Sequence, residues 1–194
     1  MLRRITMLFS AVLLLITTAW ALPAQAVGVY SRAFTNVFHS DQDNRSMCLW
    51  TEDNRADDHS PYLKSCASSP NSLAKWWLHQ KVDNFGGTGN PMWVLQSQGT
   101  SSTSCLEAHP NASLSYNLSL GTCNWAGGGS DINKQWEAIK QANGAWVIRS
   151  VSAKQYNKNL CIGAFGGTAI AVLLQECTFG AKQQWNAGNA TPVS

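Results

Sequence analysis

One set of residue types recurs three times along the chain in the same order, and that repetition limits the fold more than any composition does. A cysteine followed by an aliphatic residue stands at Cys48-Leu49, Cys105-Leu106 and Cys161-Ile162, and a second cysteine follows at Cys66, Cys123 and Cys177. Three residues before each second cysteine is a leucine, Leu63, Leu120 or Leu174, and a tryptophan closes each unit at Trp76 or Trp77, Trp136 and Trp185. The stretches Val37-Phe38-His39-Ser40, Val94-Leu95-Gln96-Ser97 and Val147-Ile148-Arg149-Ser150 read as a fifth shared feature ahead of each first cysteine. First cysteines lie 57 and 56 residues apart, so the units have near-equal length. Self-similarity at a fixed period means that each unit is one structural module, which buries its apolar face only against its neighbours.

Within a unit, short apolar runs such as Trp93-Val94-Leu95 and Ala171-Val172-Leu173-Leu174 are bounded by Gly, Asn, Ser and Pro clusters. That pattern predicts strands and turns, and no window carries a helical period. Three equal all-β units closing around a pseudo-threefold axis make a β-trefoil, with units at about 34–90, 91–144 and 145–187. The repeated Val, Leu and Trp positions are then its core. Cysteines at matching positions pair most simply within their unit: Cys48 with Cys66, Cys105 with Cys123 and Cys161 with Cys177.

Ahead of the repeats, Arg3-Arg4, an apolar run from Met7 to Trp20 and the small-x-small triplet Ala24-Gln25-Ala26 form a secretory leader. Cleavage after residue 26 leaves a mature domain of residues 27–194. The run is too short for a membrane span of ~20 residues. An exported chain with six cysteines is expected to hold them as disulfides. The formal net charge of +3 falls to +1 when Arg3 and Arg4 leave, and the remaining cations are scattered. Such a surface has no electrostatic footprint for nucleic acid.

The units resemble the ricin B-chain type lectin domain, whose repeats carry Cys-Leu-Asp, Leu-aromatic-x-Cys and Gln-x-Trp. Gln183-Gln184-Trp185 reproduces the last signature and Cys105-Leu106-Glu107 differs from the first by one methylene. The resemblance covers residues 34–187 and implies a β-trefoil that holds sugar hydroxyls with the acid after Cys-Leu, with an Asn three residues before the closing Trp, and by stacking on an aromatic ring. It is similar in size and in its eroded sugar signature to the binding subunits of cytolethal distending toxins.

Position by position, the first unit has Trp50 for the acid, Lys64 for the aromatic and Leu73 or Ala74 for the Asn. The third has Gly163 and Gln175 at the first two places. The second unit has Glu107 and Asn133, with Gly121 replacing the aromatic and Trp125 nearby in sequence as a substitute platform. The expected glycan site is therefore Glu107, Asn133 and Trp125. The competing expectation is a toxin delivery or receptor-binding subunit held by protein contacts, with Trp50, Trp77 and Trp125 forming an exposed aromatic patch.

Catalytic and cofactor motifs are absent. His39, His59, His79 and His109 are dispersed, and neither His-Glu-x-x-His nor Gly-x-Ser-x-Gly occurs. Asp57-Asp58-His59 reads as a solvated loop, and Gly86-Gly87-Thr88-Gly89-Asn90 as a long turn, since no Lys-Ser or Lys-Thr follows it. No C-x-x-C pair offers zinc a site. The reading is a non-catalytic binding protein without metal or cofactor. Asn44, Asn111, Asn117 and Asn189 begin glycosylation sequons, used only in a host that modifies its secreted proteins.

Overall fold

The computed structural model describes residues 29–43, 45–51, 61–68, 74–82, 84–99, 104–110, 117–123, 131–166, 170–188 and 191–192. The segment expected to be a leader, residues 1–26, the Asp57-Asp58-His59 run and Trp125 lie outside the described residues.

The first unit contributes β1 (Val29–Asn36), β2 (Met47–Trp50), β3 (Tyr62–Ser65) and β4 (Lys75–Val82). The second contributes β5 (Met92–Ser97), β6 (Ser104–His109), β7 (Asn117–Thr122) and β8 (Trp136–Lys140). The third contributes β9 (Trp146–Ser150), β10 (Leu160–Phe165), β11 (Ala171–Glu176) and β12 (Gln184–Ala187), and a short β13 (Thr191–Pro192) pairs with β1.

Antiparallel pairing runs from β1 to β4, β5, β8, β9, β12 and back to β1, so the outer strands of all three units close one barrel. Closure leaves those strands no open edge. The inner strands form three hairpins, β2–β3, β6–β7 and β10–β11. Each hairpin meets the barrel through its first cysteine: Cys48 opposite Thr35, Cys105 opposite Gln96 and Cys161 opposite Arg149. The cysteines are bonded within units, Cys48–Cys66, Cys105–Cys123 and Cys161–Cys177.

Those pairings correct the alignment of the first unit. The residues matching Val94-Leu95-Gln96-Ser97 and Val147-Ile148-Arg149-Ser150 are Ala33-Phe34-Thr35-Asn36, on β1. Val37 to Ser40 belong instead to a short helix, α1 (Val37–Asp43). The third unit has a one-turn counterpart, α2 (Val151–Lys154). Asn36 Oδ1 accepts from His39 N at 3.1 Å, and Ser150 Oγ accepts from Ala153 N at 3.2 Å, so the last residue of each strand caps the helix that follows. Helices this short leave no readable amphipathic period.

The tryptophans that close the units are the centre of the core. Trp76, Trp136 and Trp185 are fully buried. Each indole Nε1–H donates to the carbonyl of the residue after its unit's first cysteine: Leu49 at 3.2 Å, Leu106 at 3.2 Å and Ile162 at 3.1 Å. The bond identifies Trp76, not Trp77, as the closing residue of the first unit. Burying each ring removes ~150–250 Å² from water, roughly 4–6 kcal/mol of transfer free energy as an upper estimate. Trp93 and Trp146 stand opposite Trp136 and Trp185 on the neighbouring strands, with ring centroids 4.9 Å apart.

A buried carboxylate ties the units together. Glu137, beside Trp136 on β8, has no exposed surface and accepts from Arg149 Nη2 at 2.7 Å and Lys154 Nζ at 2.7 Å, both in the third unit. Its second oxygen accepts from Asn90 Nδ2 at 2.8 Å and Thr88 Oγ1 at 3.2 Å, on the connection between β4 and β5. Burial opposes ionisation of Glu137, but the hydrogen bonds from Lys154, Asn90 and Arg149 outweigh it and lower its pKa to about 2. The Gly-rich stretch read from sequence as a turn is this connection, with Gly86, Gly87 and Gly89 all in the left-handed region.

Candidate functional site

Strand alternation on β6 sends Leu106 and Ala108 into the core and turns Glu107 and His109 to the other face. Opposite them on β7, Glu107 pairs with Ser119 and Cys105 with Gly121. The face is completed by the one-turn 3-10 helix Ile132–Lys134, just before β8. Asp131 caps that turn, its Oδ1 accepting from Asn133 N at 3.2 Å.

Lys134 joins the two segments. Its Nζ lies 3.4 Å from Glu107 Oε2 and also donates to Asp131 Oδ2. The lysine is buried and the Glu107 side chain retains 16% of its exposure. Burial pulls the lysine pKa down, but the hydrogen bond to Asp131 and the charges of Glu107 and Asp131 outweigh it, so the ammonium titrates above its ordinary value. The same hydrogen bond from Lys134, opposed by partial burial, lowers the pKa of Asp131. His109 Nε2 and Ser119 Oγ share a hydrogen bond of 2.7 Å at the exposed end of the face.

Gly121 decides where the Glu107 carboxylate rests. A Cβ at position 121 would run into Glu107 Oε2, so the space that a side chain would take there is filled by the carboxylate. The result is a half-exposed polar face bearing two carboxylates, one ammonium, a hydroxyl, an imidazole and the partly exposed Asn133. Carboxylates accept from paired hydroxyls, and amides and imidazoles donate or accept, which is the chemistry that reads a neutral polyol. Of the residues expected from sequence, Glu107 and Asn133 border this face, and Trp125 lies outside the described residues.

The equivalent places in the other units are filled from within. In the first, Trp50 takes the position of Glu107. It was expected in an exposed aromatic patch, but it is 1% exposed, packed with Cys48 and Ala74 against Tyr62 and Cys66. Lys64 Nζ stands 4.5 Å from the centroid of its ring. The physical reason is its place on β2, beside the disulfide, where a large ring fills the space beneath the hairpin. Trp77 is half-buried on the outside of the barrel, between Ser31 and Gln96. In the third unit Gly163 takes the Glu107 position, and the Phe165 ring lies over it. Lys182, the counterpart of Asn133, places Nζ 5.9 Å from the Phe165 centroid and 5.0 Å from that of Phe38.

Sequence reasoning missed Asp131, His109, Ser119 and above all Lys134. Alternation along Ser104–His109 was enough to place His109 beside Glu107. Locally Lys134 is marked by nothing more than its i,i+3 pair with Asp131, and its other partner, Glu107, is brought to it by the hairpin.

No protein-family model and no curated protein sequence matches the chain. Solved structures do. A designed threefold-symmetric protein, ThreeFoil, superposes with a TM-score of 0.58 at 15% identity, over 81% of this chain and 96% of that one. The cytolethal distending toxin of Haemophilus ducreyi gives 0.53 at 18% identity, over 84% of each chain. A lectin of Polyporus squamosus, solved bound to the influenza-binding epitope Neu5Aca2-6Galb1-4GlcNAc, gives 0.55 at 14% identity over 82% of this chain and 49% of that one, so the match spans about half of the lectin. At these identities the likeness is one of architecture. It agrees with the closed barrel, the three hairpins and the three bonded tryptophans: the chain is a β-trefoil.

Proposed function

We propose that this β-trefoil is a secreted, non-catalytic carbohydrate-binding protein whose glycan contact is the second-unit face around Glu107 and Asn133, with Trp125 as stacking platform. The observation that carries the reading is the contrast among units. Among the described residues, the second unit alone brings carboxylates, hydroxyl and imidazole to one half-exposed face, while Trp50 and Phe165 fill the matching places elsewhere. Three disulfides suit an oxidising, extracytoplasmic destination, in keeping with the leader over residues 1–26. A single shallow contact binds weakly, so avidity would come from clustered glycans or from clustering of the protein.

The test is a glycan-array screen of the purified protein beside Glu107→Ala. Saturable binding that the variant loses, with an unchanged melting temperature, supports the reading; a variant that binds like the wild type removes Glu107 from the site.

The filling of two of the three sites favours one further reading, a toxin delivery or receptor-binding subunit that works through protein contacts. The architectural likeness to the Haemophilus ducreyi toxin is consistent with it. It predicts a blank array and a stable complex with a separate toxin component.

A further inference from the structure

The position two residues before the closing tryptophan holds Ala74, Lys134 and Gln183 in the three units. In the third unit Gln183 is a brace. Its Oε1 accepts from Thr178 N at 2.8 Å and Phe179 N at 3.1 Å, and its Nε2 donates to Glu176 O at 2.7 Å. A lysine has no acceptor and cannot hold backbone N–H groups in this way. It also carries a charge into a nearly buried place, where an ammonium is costly unless paired. Lys134 keeps 8% of its exposure, and its charge is met by Asp131 and by Glu107, the latter at 3.4 Å.

We propose that Lys134 is the positioning residue of the second-unit site: it holds the Glu107 carboxylate down over Gly121, in the one orientation that presents its outer edge to a ligand hydroxyl. This rests on the glycan-binding reading above. Two features make the arrangement specific. Gly121 leaves the space into which the carboxylate folds, and Asp131 anchors the ammonium from the other side, so Lys134 cannot swing away with Glu107. The pair is a charge-assisted contact at a partly shielded place, where orientation is gained at little further entropic cost to the ligand.

The experiment compares the full chain with Lys134→Gln, Lys134→Arg, Gly121→Ala and Glu107→Ala on an array of neutral and sialylated mono- and oligosaccharides that includes Neu5Aca2-6Galb1-4GlcNAc. Thermal melts run in parallel. Glutamine is a residue this fold already accepts at the equivalent register, so Lys134→Gln is expected to fold. The expected result is a loss of affinity of about tenfold or more for Lys134→Gln and Gly121→Ala, the size of one charge-assisted contact, with Lys134→Arg retaining most binding. Should Lys134→Gln melt early, the Gly121→Ala and Lys134→Arg variants decide the matter alone. Wild-type binding by Lys134→Gln or Gly121→Ala beside a loss in Glu107→Ala would overturn the role of Lys134 and leave the glycan reading standing. A loss that arginine fails to restore would overturn it too. If wild type and Glu107→Ala behave alike, the reading itself falls and the positioning role falls with it.

Discussion

Single side chains decide whether each unit is open or closed. Where the second unit has Glu107 above Gly121, the first has a buried Trp50 and the third a glycine covered by Phe165, so one fold carries three different surfaces. Glu137 links the second unit to the third and to the β4–β5 connection. Replacing it with Gln leaves Arg149 and Lys154 facing a neutral group at a fully buried place, and the expected loss of stability is on the order of 3 kcal/mol, read from denaturant midpoints. The same carboxylate sets an acid limit. Its pKa is depressed in the folded state from 4.5 to about 2, so its contribution is complete above pH 4.5 and is lost as pH falls toward about 2. His79 adds to the limit from higher pH. Burial lowers its pKa, against the hydrogen bond that His79 Nε2 donates to Gln96 Oε1 and with help from Lys81, so protonation below 6.5 favours the unfolded chain. Melting temperature should therefore begin to fall below pH 6.5 and fall further below 4.5, and Glu137→Gln should remove most of the second decline.

At the scale of elements, the repeated sequence features correspond to the parts that make the threefold register. The cysteines seat each hairpin on its barrel strand, and the tryptophans bond across to the residue after each first cysteine. This is why they were legible: core positions recur because the same geometry recurs. The Val-apolar-polar-Ser feature failed in the first unit for a physical reason. Its strand counterpart, Ala33-Phe34-Thr35-Asn36, satisfies the same burial and capping with different residue types, while Val37-Phe38-His39-Ser40 copies the pattern on a helix. Trp50 was misplaced because an aromatic at a polar repeat position looks the same in sequence whether it stacks on a ligand or fills a gap. Trp136→Phe tests the shared bond. It removes the donor to Leu106 O and part of a fully buried ring, and should cost ~2–3 kcal/mol in equilibrium unfolding with the fold retained.

For the whole molecule, the barrel cannot form from one unit. Each unit supplies two neighbouring strands of it, so closure needs all three, and β1 pairs with both β4 of its own unit and β12 of the last. Equilibrium unfolding is accordingly expected as one transition, with fluorescence and circular dichroism coincident, and a fragment of residues 91–144 is expected to remain unfolded with its disulfide intact. Independent folding of that fragment would mean that closure contributes little. The trefoil supplies a frame stapled by three disulfides, and on the proposed reading its second-unit face is the one that reads a ligand. The central claim is the location of that face, and amide NMR shift mapping during titration with a glycan that binds the array tests it most directly. The account predicts shifts confined to β6, β7, Trp125 and residues 131–134, saturating together; shifts centred instead on the hairpins of the first or third unit would contradict it.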